Sequence, residues 1–262
     1  MSDPLTVARS AAEEAGRLLL EHFGRLGGLG RGVIATKSAR RDLVTAADVA
    51  SERLLVRRLR AAFPDHAIES EEEVRDPAGS GPRWFLDPLD GTVNFVHSLP
   101  CFAVSMALFV EGEPEVAVVH APLLGETFTA ERGGGAFLGD APLRVSSTGE
   151  LADAVLATGF PYRRHELEHD NLANFAAFFH EVRGLRRMGS AAIDLAYTAA
   201  GRFDGFWELH LAPHDVAAGA LLVREAGGVV TDADGGEDWL RGAHIVAAGE
   251  AVHRLLVGRI QH

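Results

Sequence analysis

Apolar residues recur three and four apart through the opening stretch SDPLTVARSAAEEAGRLLLEHFG, and charged residues fill the positions between them. That spacing predicts an amphipathic helix. The interleaved acids argue against a signal peptide, which would need a basic start and an unbroken apolar core. A glycine-rich stretch, GRLGGLGRG, comes next. Beyond it Thr45 or Asp48 can open a second helix, whose apolar Leu54, Leu55 and Leu59 keep helical spacing until Pro64 stops it. Arg83 to Leu86 reads as a short buried strand. From Cys101 to Val145 the period changes: FAVSMALFVEG, EPEVAVVHAP, GETFTAER and GAFLGDAPLRVS are separated by Gly, Pro and acidic turn residues. They predict an antiparallel sheet.

The second half alternates strands with helices. LADAVLATGF reads as a strand, Glu166 to Val182 as a polar helix and GLRRM as another strand. Ser190 is placed to cap a helix AAIDLAYTAA that Gly201 ends, and FDGFWEL returns as a strand. Pro213 stands where the helix HDVAAGALLVREAGG begins, and paired glycines close it. The strands GVVTD and AHIVAAG and a C-terminal helix complete the chain. No linker, repeat or low-complexity segment divides the halves. The pattern predicts a single unit with an N-terminal lobe over about residues 1–150 and a C-terminal α/β lobe over about residues 151–262, its sheet-and-helix layers sharing one continuous core.

Composition narrows the function. At 262 residues and 47% hydrophobic content the chain can bury a sizeable core. Lys and Arg total 25 against 37 Asp and Glu, and the resulting charge of -12 argues against a nucleic-acid or anionic-membrane partner. An anionic substrate must then be attracted by something other than net charge. The only cysteine, Cys101, allows no internal disulfide and no multi-cysteine zinc site, which fits a reducing cytoplasm. With no His or Lys beside it, that thiol reads as a small buried hydrophobe and not as a nucleophile. No uncharged run approaches the roughly 18 residues of a membrane span.

Candidate chemistry concentrates in WFLDPLDGTVNF, residues 84–95. Pro88 fixes its own φ and pushes Asp87 into an extended conformation, so the chain leaves the strand in a defined direction. Gly91 allows close approach of the backbone to a ligand. Two carboxylates about 4 Å apart repel by roughly 4 kcal/mol at an effective dielectric near 20, and a divalent cation between them removes that cost. Glu71 in ESEEE and Asp215 in PHDVAAG could converge on Asp87 and Asp90. Carboxylates, a backbone carbonyl and a hydroxyl suit Mg²⁺ or Mn²⁺, whereas zinc prefers His or Cys. Taken singly, ESEEE also suits a solvated loop, Asp215 an ordinary first-turn acid, and the two aspartates a capped turn. Gly91 and Thr92 fall at a loop-to-helix junction, where free N–H groups can receive a phosphate oxygen. Thr92, paired with Asp48, could orient and deprotonate a water whose pKa a cation has lowered. The Asp-x-Asp-Gly-Thr motif of haloacid-dehalogenase-type phosphatases does not match, because Pro88 and Leu89 both stand between the aspartates.

Four stretches, DLVTAADVASE, ESEEE, WFLDPLDGTVNFVHSLPCFAVSMAL and GSAAIDLAYTAAGRFDGFWELHLAPHDVAAGALLVREAGGVVTD, are similar in order and approximate spacing to the inositol monophosphatase family of Mg²⁺-dependent, lithium-sensitive phosphatases. The resemblance covers nearly the whole chain. It implies an αβαβα layered sandwich, a homodimer, and about two or three Mg²⁺ per active site, with Mn²⁺ as an alternative. It makes Glu71, Asp87 and the Leu89 carbonyl ligands of one metal, and Asp87, Asp90 and Asp215 ligands of a second. Thr92 and Asp48 match the pair that activates water, and Leu89, Asp90, Gly91 and Thr92 match phosphate contacts. Lys37 matches a loop lysine near the phosphate. Gly189, Ser190 and Ala191 fall where the family lines its sugar pocket, and Glu208 matches an acid that contacts a substrate hydroxyl. Two positions depart from the pattern: Ser70 replaces a frequent glycine, and His214 stands where tryptophan is usual, with His210 nearby. The implied activity is hydrolysis of a small phosphate monoester, inositol 1-phosphate foremost, with histidinol-phosphate phosphatase and fructose-1,6-bisphosphatase as alternatives on the same fold. A regulatory or interaction protein that retains the fold is the alternative of another class.

Overall fold

The computed structural model describes residues 2–25, 34–36 and 43–262. Lys37 and most of the glycine-rich stretch lie outside them. The first helix, α1 (Pro4–Arg25), begins with Pro4 in its first turn, and Asp3 accepts the Thr6 N–H at 2.9 Å. Its buried face is Ala8, Ala11, Ala12, Ala15 and Leu19. Side chains that small let α1 lie close on its neighbours, α2 and the large sheet. A short antiparallel pair, β1 (Ile34–Thr36) and β2 (Leu43–Thr45), leads into α2 (Ala46–Ala62). Thr45, not Asp48, is the N-cap of α2, and Asp48 returns the bond as the third helical residue.

The large sheet has seven strands in sequential order: β3 (Ala67–Ser70), β4 (Arg83–Asp90), β5 (Ala103–Val110), β6 (Glu113–Ala121), β7 (Glu126–Glu131), β8 (Gly135–Leu138) and β9 (Ala141–Pro142). A short helix, α3 (Thr92–Val96), connects β4 to β5. All neighbours pair antiparallel except β3 and β4, which run parallel. The strand expected to end at Leu86 continues to Asp90, because the ladder with β5 shifts between Asp87 and Asp90. That irregularity accommodates Pro88, which has no N–H for the ladder.

Then follow β10 (Val155–Thr158), α4 (Leu172–Phe179), β11 (Gly184–Arg186), α5 (Ala191–Ala199), β12 (Gly205–Leu209), α6 (Pro213–Glu225), β13 (Val229–Thr231), β14 (His244–Ala248) and α7 (Glu250–Leu256). Their strands form a second sheet in the order β11-β10-β12-β14-β13. The helix expected over Glu166 to Val182 is shorter. It starts after Asn171, whose φ of 75° lies outside the helical range, and a separate 3-10 turn occupies Arg164–Glu166.

Five layers result: α1 and α2, the large sheet, α5 and α6, the small sheet, then α4 and α7. The fold is thus the αβαβα sandwich. The single continuous core expected from the sequence is instead three apolar layers, since each sheet is covered on both faces. Alternation along the strands creates them. Trp84 and Leu86 point towards α1 and α2 while Phe85 joins the central layer, and Phe206 points to the centre while Trp207 and Leu209 face the outer one. Strand ends and helix starts from both sheets then meet around the C-terminal end of β4.

Candidate active site

The last residues of β4 are the floor of the site. Asp87 is buried, and its Oδ1 accepts the Leu89 N–H at 3.0 Å. Gly91 follows with φ of 91°, and a Cβ there would lie 2.7 Å from the Cys101 carbonyl oxygen. Only glycine meets both demands. The turn it permits starts α3 and brings the Thr92 hydroxyl to 3.0 Å from Asp48 Oδ1 and 3.1 Å from the Leu89 carbonyl oxygen. Asp48 is held in turn by the Thr45 N–H at 2.8 Å and the Thr45 hydroxyl at 2.5 Å. Burial raises the Asp48 carboxyl above the ordinary carboxylate range, opposed by those hydrogen bonds.

A cleft of about 410 Å³ opens above this floor. Glu71, Asp90 and Asp215 line it from the β3–β4 connection, the end of β4 and the first turn of α6. Asp87 lies behind them, its carboxyl in hydrogen-bond contact with that of Glu71. Burial, then the charges of Glu71, Asp90 and Asp215, hold Asp87 far above its usual range. Burial and the Asp215 charge push Asp90 up to about 7, although Ser190 and Ala192 donate to it. Asp215 Oδ2 accepts the Ala212 N–H at 2.6 Å, closing the start of α6.

Among the described residues, no three Asp, Glu, His or Cys side chains stand ready-spaced around one ion. The carboxyl oxygens bond instead to protein donors and to one another. The donor chemistry nevertheless fits a hard divalent cation: Glu71, Asp87, Asp90 and Asp215 are clustered, burial and neighbouring acids disfavour the charged forms of Asp87 and Asp90, and the Leu89 carbonyl lies at the same end of β4.

The far end of the cleft is built by α5 and β12. Gly189, Ser190 and Ala191 line it together with Glu208, as do His210 and His214. Burial pushes Glu208 up to about 8, with Arg187 opposing. His214 Nε2 stands 3.8 Å from Asp215 Oδ1, and His210 Nε2 lies 2.9 Å from the His169 carbonyl oxygen. The cysteine reading agrees with the structure: Cys101 is half-buried, and burial pushes its thiol up.

Several residues of the site carry little or no signal in the sequence. Ser51 donates to the Pro88 carbonyl at 2.8 Å and so fixes the β4 turn from α2. The Asn94 side-chain amide donates to the carbonyls of Cys101 at 2.7 Å and Met188 at 2.8 Å, tying α3 to the start of α5. Gly159 has no Cβ, which would fall 2.1 Å from Glu208 Oε1. Asp194 lines the same end of the cleft; its Oδ1 is buried with no hydrogen-bond partner among the described residues. Burial and the Glu208 charge raise its carboxyl well above the ordinary range. A polar position at regular spacing on an otherwise buried helix face was the available signal for Ser51; Asn94 and Gly159 carry none in a single sequence.

Comparison with known proteins bears on the whole chain. The inositol monophosphatase family model matches residues 1–262. An inositol-1-monophosphatase of Rhizobium meliloti is 45% identical over 259 residues, covering 98% of this chain and 96% of that protein. The Nus factor SuhB of Pseudomonas aeruginosa is 44% identical over 268 residues, covering 100% and 97%. Among solved structures, the extragenic suppressor protein suhB from Bartonella henselae superposes with a TM-score of 0.92 at 41% identity, over 99% of each chain.

Proposed function

We propose, from the premise that this chain belongs to the inositol monophosphatase family, that it hydrolyses a small phosphate monoester, with inositol 1-phosphate as the leading substrate. The observation that carries the reading is the meeting of Glu71, Asp87, Asp90 and Asp215 at one cleft, beside the Thr92–Asp48 pair. Glu71, Asp87, Asp90, Asp215 and the Leu89 carbonyl are the residues that would hold Mg²⁺ or Mn²⁺. Bound there, divalent cations supply charge neutralisation for the phosphate and lower the pKa of water at the site.

The protein's own groups do the rest. Thr92, through its link to Asp48, orients the attacking water and passes on its proton. The backbone from Leu89 to Thr92 receives phosphate oxygens, so that binding an anion does not depend on net charge in a chain of charge -12. Gly189, Ser190, Ala191 and Glu208 hold the alcohol half, with Glu208 accepting or donating at a hydroxyl as its raised pKa allows. Lys37 is a further phosphate contact in this reading.

A homodimer belongs to the same reading and is carried over from the family. The lone cysteine supports a cytoplasmic setting. Among the described residues no helix is long and apolar enough to cross a membrane. A second reading, an interaction protein on the same fold, draws on the relatives called Nus factor SuhB.

One panel tests these readings: kcat/KM for inositol 1-phosphate, histidinol phosphate, fructose 1,6-bisphosphate and 3′-phosphoadenosine 5′-phosphate, each with Mg²⁺ and with Li⁺ added. Inositol 1-phosphate is expected to be the best substrate and Li⁺ to inhibit. Absence of turnover with every ester would overturn the enzymatic reading in favour of the second.

A further inference from the structure

We infer that Glu52 is the positioning residue for Glu71, setting the affinity of the site for a divalent cation by clamping the loop that carries it. The inference rests on the functional reading above for the role of Glu71, and on hydrogen-bond geometry for everything else.

Glu52 is an acid sealed inside the protein at 1% exposure, close to a cleft already crowded with acids. Its charge is met by donors from one short segment. Ser70 Oγ donates to Oε2 at 2.8 Å and Glu72 N–H at 3.0 Å; Val74 N–H donates to Oε1 at 2.9 Å; Glu73 N–H is shared between the oxygens at 3.0 and 3.1 Å. Three successive backbone N–H groups wrapped around one carboxylate form an anion nest, here filled by the protein itself. Hydrogen bonds to an ionised acceptor are roughly twice as strong as neutral ones.

The loop so held is closed at its base. Ser70 N–H donates to the Val74 carbonyl at 2.7 Å and Asp76 N–H to the Ile68 carbonyl at 2.8 Å. Glu71 is the one residue between Ser70 and Glu73 whose N–H turns the other way, to the Leu86 carbonyl at 3.1 Å, next to Asp87. Its backbone is therefore pinned from β4 on one side and, through both neighbours, from Glu52 on the other. The same helix face holds the rest of the site. Asp48, Ser51 and Glu52 stand at i, i+3 and i+4 on α2 and reach Thr92, the Pro88 carbonyl and the 70–74 loop respectively. Ser70, where the family often has glycine, supplies one of the donors to the clamp.

The test compares the full-length protein with Glu52→Asp, Glu52→Gln and Ser70→Ala. Mg²⁺ affinity is read by calorimetry, amide exchange of residues 72–74 in chelator, and the Mg²⁺ dependence of hydrolysis. Glu52→Asp keeps the charge but shortens the reach, so it separates clamping from simple charge attraction. It is expected to weaken Mg²⁺ binding by about 10- to 100-fold, as loss of partners behind metal ligands does. The rise in half-saturating Mg²⁺ should exceed the fall in kcat, and amides 72–74 should lose protection. Ser70→Ala, which removes a single bond and keeps every charge, should shift the same quantities less and serves if the Glu52 variants do not fold. Unchanged Mg²⁺ affinity in both Glu52→Asp and Ser70→Ala overturns the inference, as does unchanged exchange at 72–74. If the variants show these shifts relative to a parent that binds Mg²⁺ but hydrolyses no ester, the clamp stands and the functional reading is removed; hydrolysis by the parent with Mg²⁺ affinity unchanged in both Glu52→Asp and Ser70→Ala does the reverse.

Discussion

Ser190 Oγ donates to Asp90 Oδ2 at 2.6 Å, joining residues 100 positions apart in the chain. The Ala192 N–H reaches the same oxygen at 2.7 Å, so the start of α5 grips the acid at the end of β4. An asparagine at position 90 can keep both bonds through its carbonyl oxygen while losing the charge. Asp90→Asn is expected to abolish Mg²⁺-dependent hydrolysis and to leave the metal-free protein as stable as the parent or more so, because a buried repulsion disappears. Steady-state assay and thermal melting in chelator check both halves. Retained hydrolysis would remove Asp90 from the site.

Ser190 does two jobs, since its hydroxyl also accepts the Ile193 N–H at 3.3 Å as the N-cap of α5. Ser190→Ala should cost about 1 kcal/mol for the cap alone. It should also weaken Mg²⁺ binding by freeing Asp90. Ser190→Thr, which keeps the hydroxyl, should restore most of the affinity; a variant that melts lower but binds Mg²⁺ unchanged would limit Ser190 to capping.

Thr92→Val removes the hydroxyl that bonds Asp48 while preserving shape. If that hydroxyl handles the proton of the attacking water, kcat should fall by about 10²- to 10⁴-fold with Mg²⁺ affinity little changed. Thr92→Ser should retain much of the rate. Equal rates for valine and threonine at position 92 would place the proton step elsewhere.

The acids of the cleft set a pH signature. Asp90 is pushed from an ordinary 3.8 to about 7, and Glu208 from 4.5 to about 8, by burial first in both cases. Each raised carboxyl contributes stability that is fully present below its ordinary pKa and lost as pH rises through its folded value. In chelator, these two carboxyls should therefore contribute a fall in melting temperature between about pH 4 and about pH 8, a contribution that Asp90→Asn and Glu208→Gln remove. Cations compete with protons for the same oxygens, so the rise in Tm on adding Mg²⁺ should be larger near pH 8 than near pH 5. Scanning calorimetry at both values decides it, and a Mg²⁺ effect independent of pH would contradict the shared binding.

Much of this was legible from local chemistry. Asp87, Pro88, Asp90 and Gly91 announce a constrained turn with two acids, and Ser190 and Pro213 mark helix starts that the structure shows. What escaped was set by contacts between distant segments. Nothing near Arg83–Leu86 reveals that a ladder shift lets β4 run through Pro88, because the shift is a property of its pairing with β5. Glu52 looks like any helix-surface acid until the 70–74 loop folds over it. Glu166 to Val182 has helical composition at its start, yet Asn171 turns the chain aside to bond Thr158 and Trp207, and α4 begins only after it.

Gly159 gives the sharpest probe of the alcohol half of the cleft. It lies just past β10, and the carboxyl of Glu208, from neighbouring β12, fills the space that a side chain would take: a Cβ would fall 2.1 Å from Oε1 and 2.2 Å from Cδ. No φ strain is involved, so Gly159→Ala acts by displacing Glu208. If Glu208 holds a hydroxyl of the substrate, KM for inositol 1-phosphate should rise by about 10-fold or more, while Mg²⁺ affinity and the rate on a small aryl phosphate lacking hydroxyls stay near parental. Glu208→Gln, which keeps hydrogen bonding and removes the charge, should leave a polyol ester better accepted than Gly159→Ala does. A parental KM for inositol 1-phosphate in Gly159→Ala would show that Glu208 does not touch the substrate.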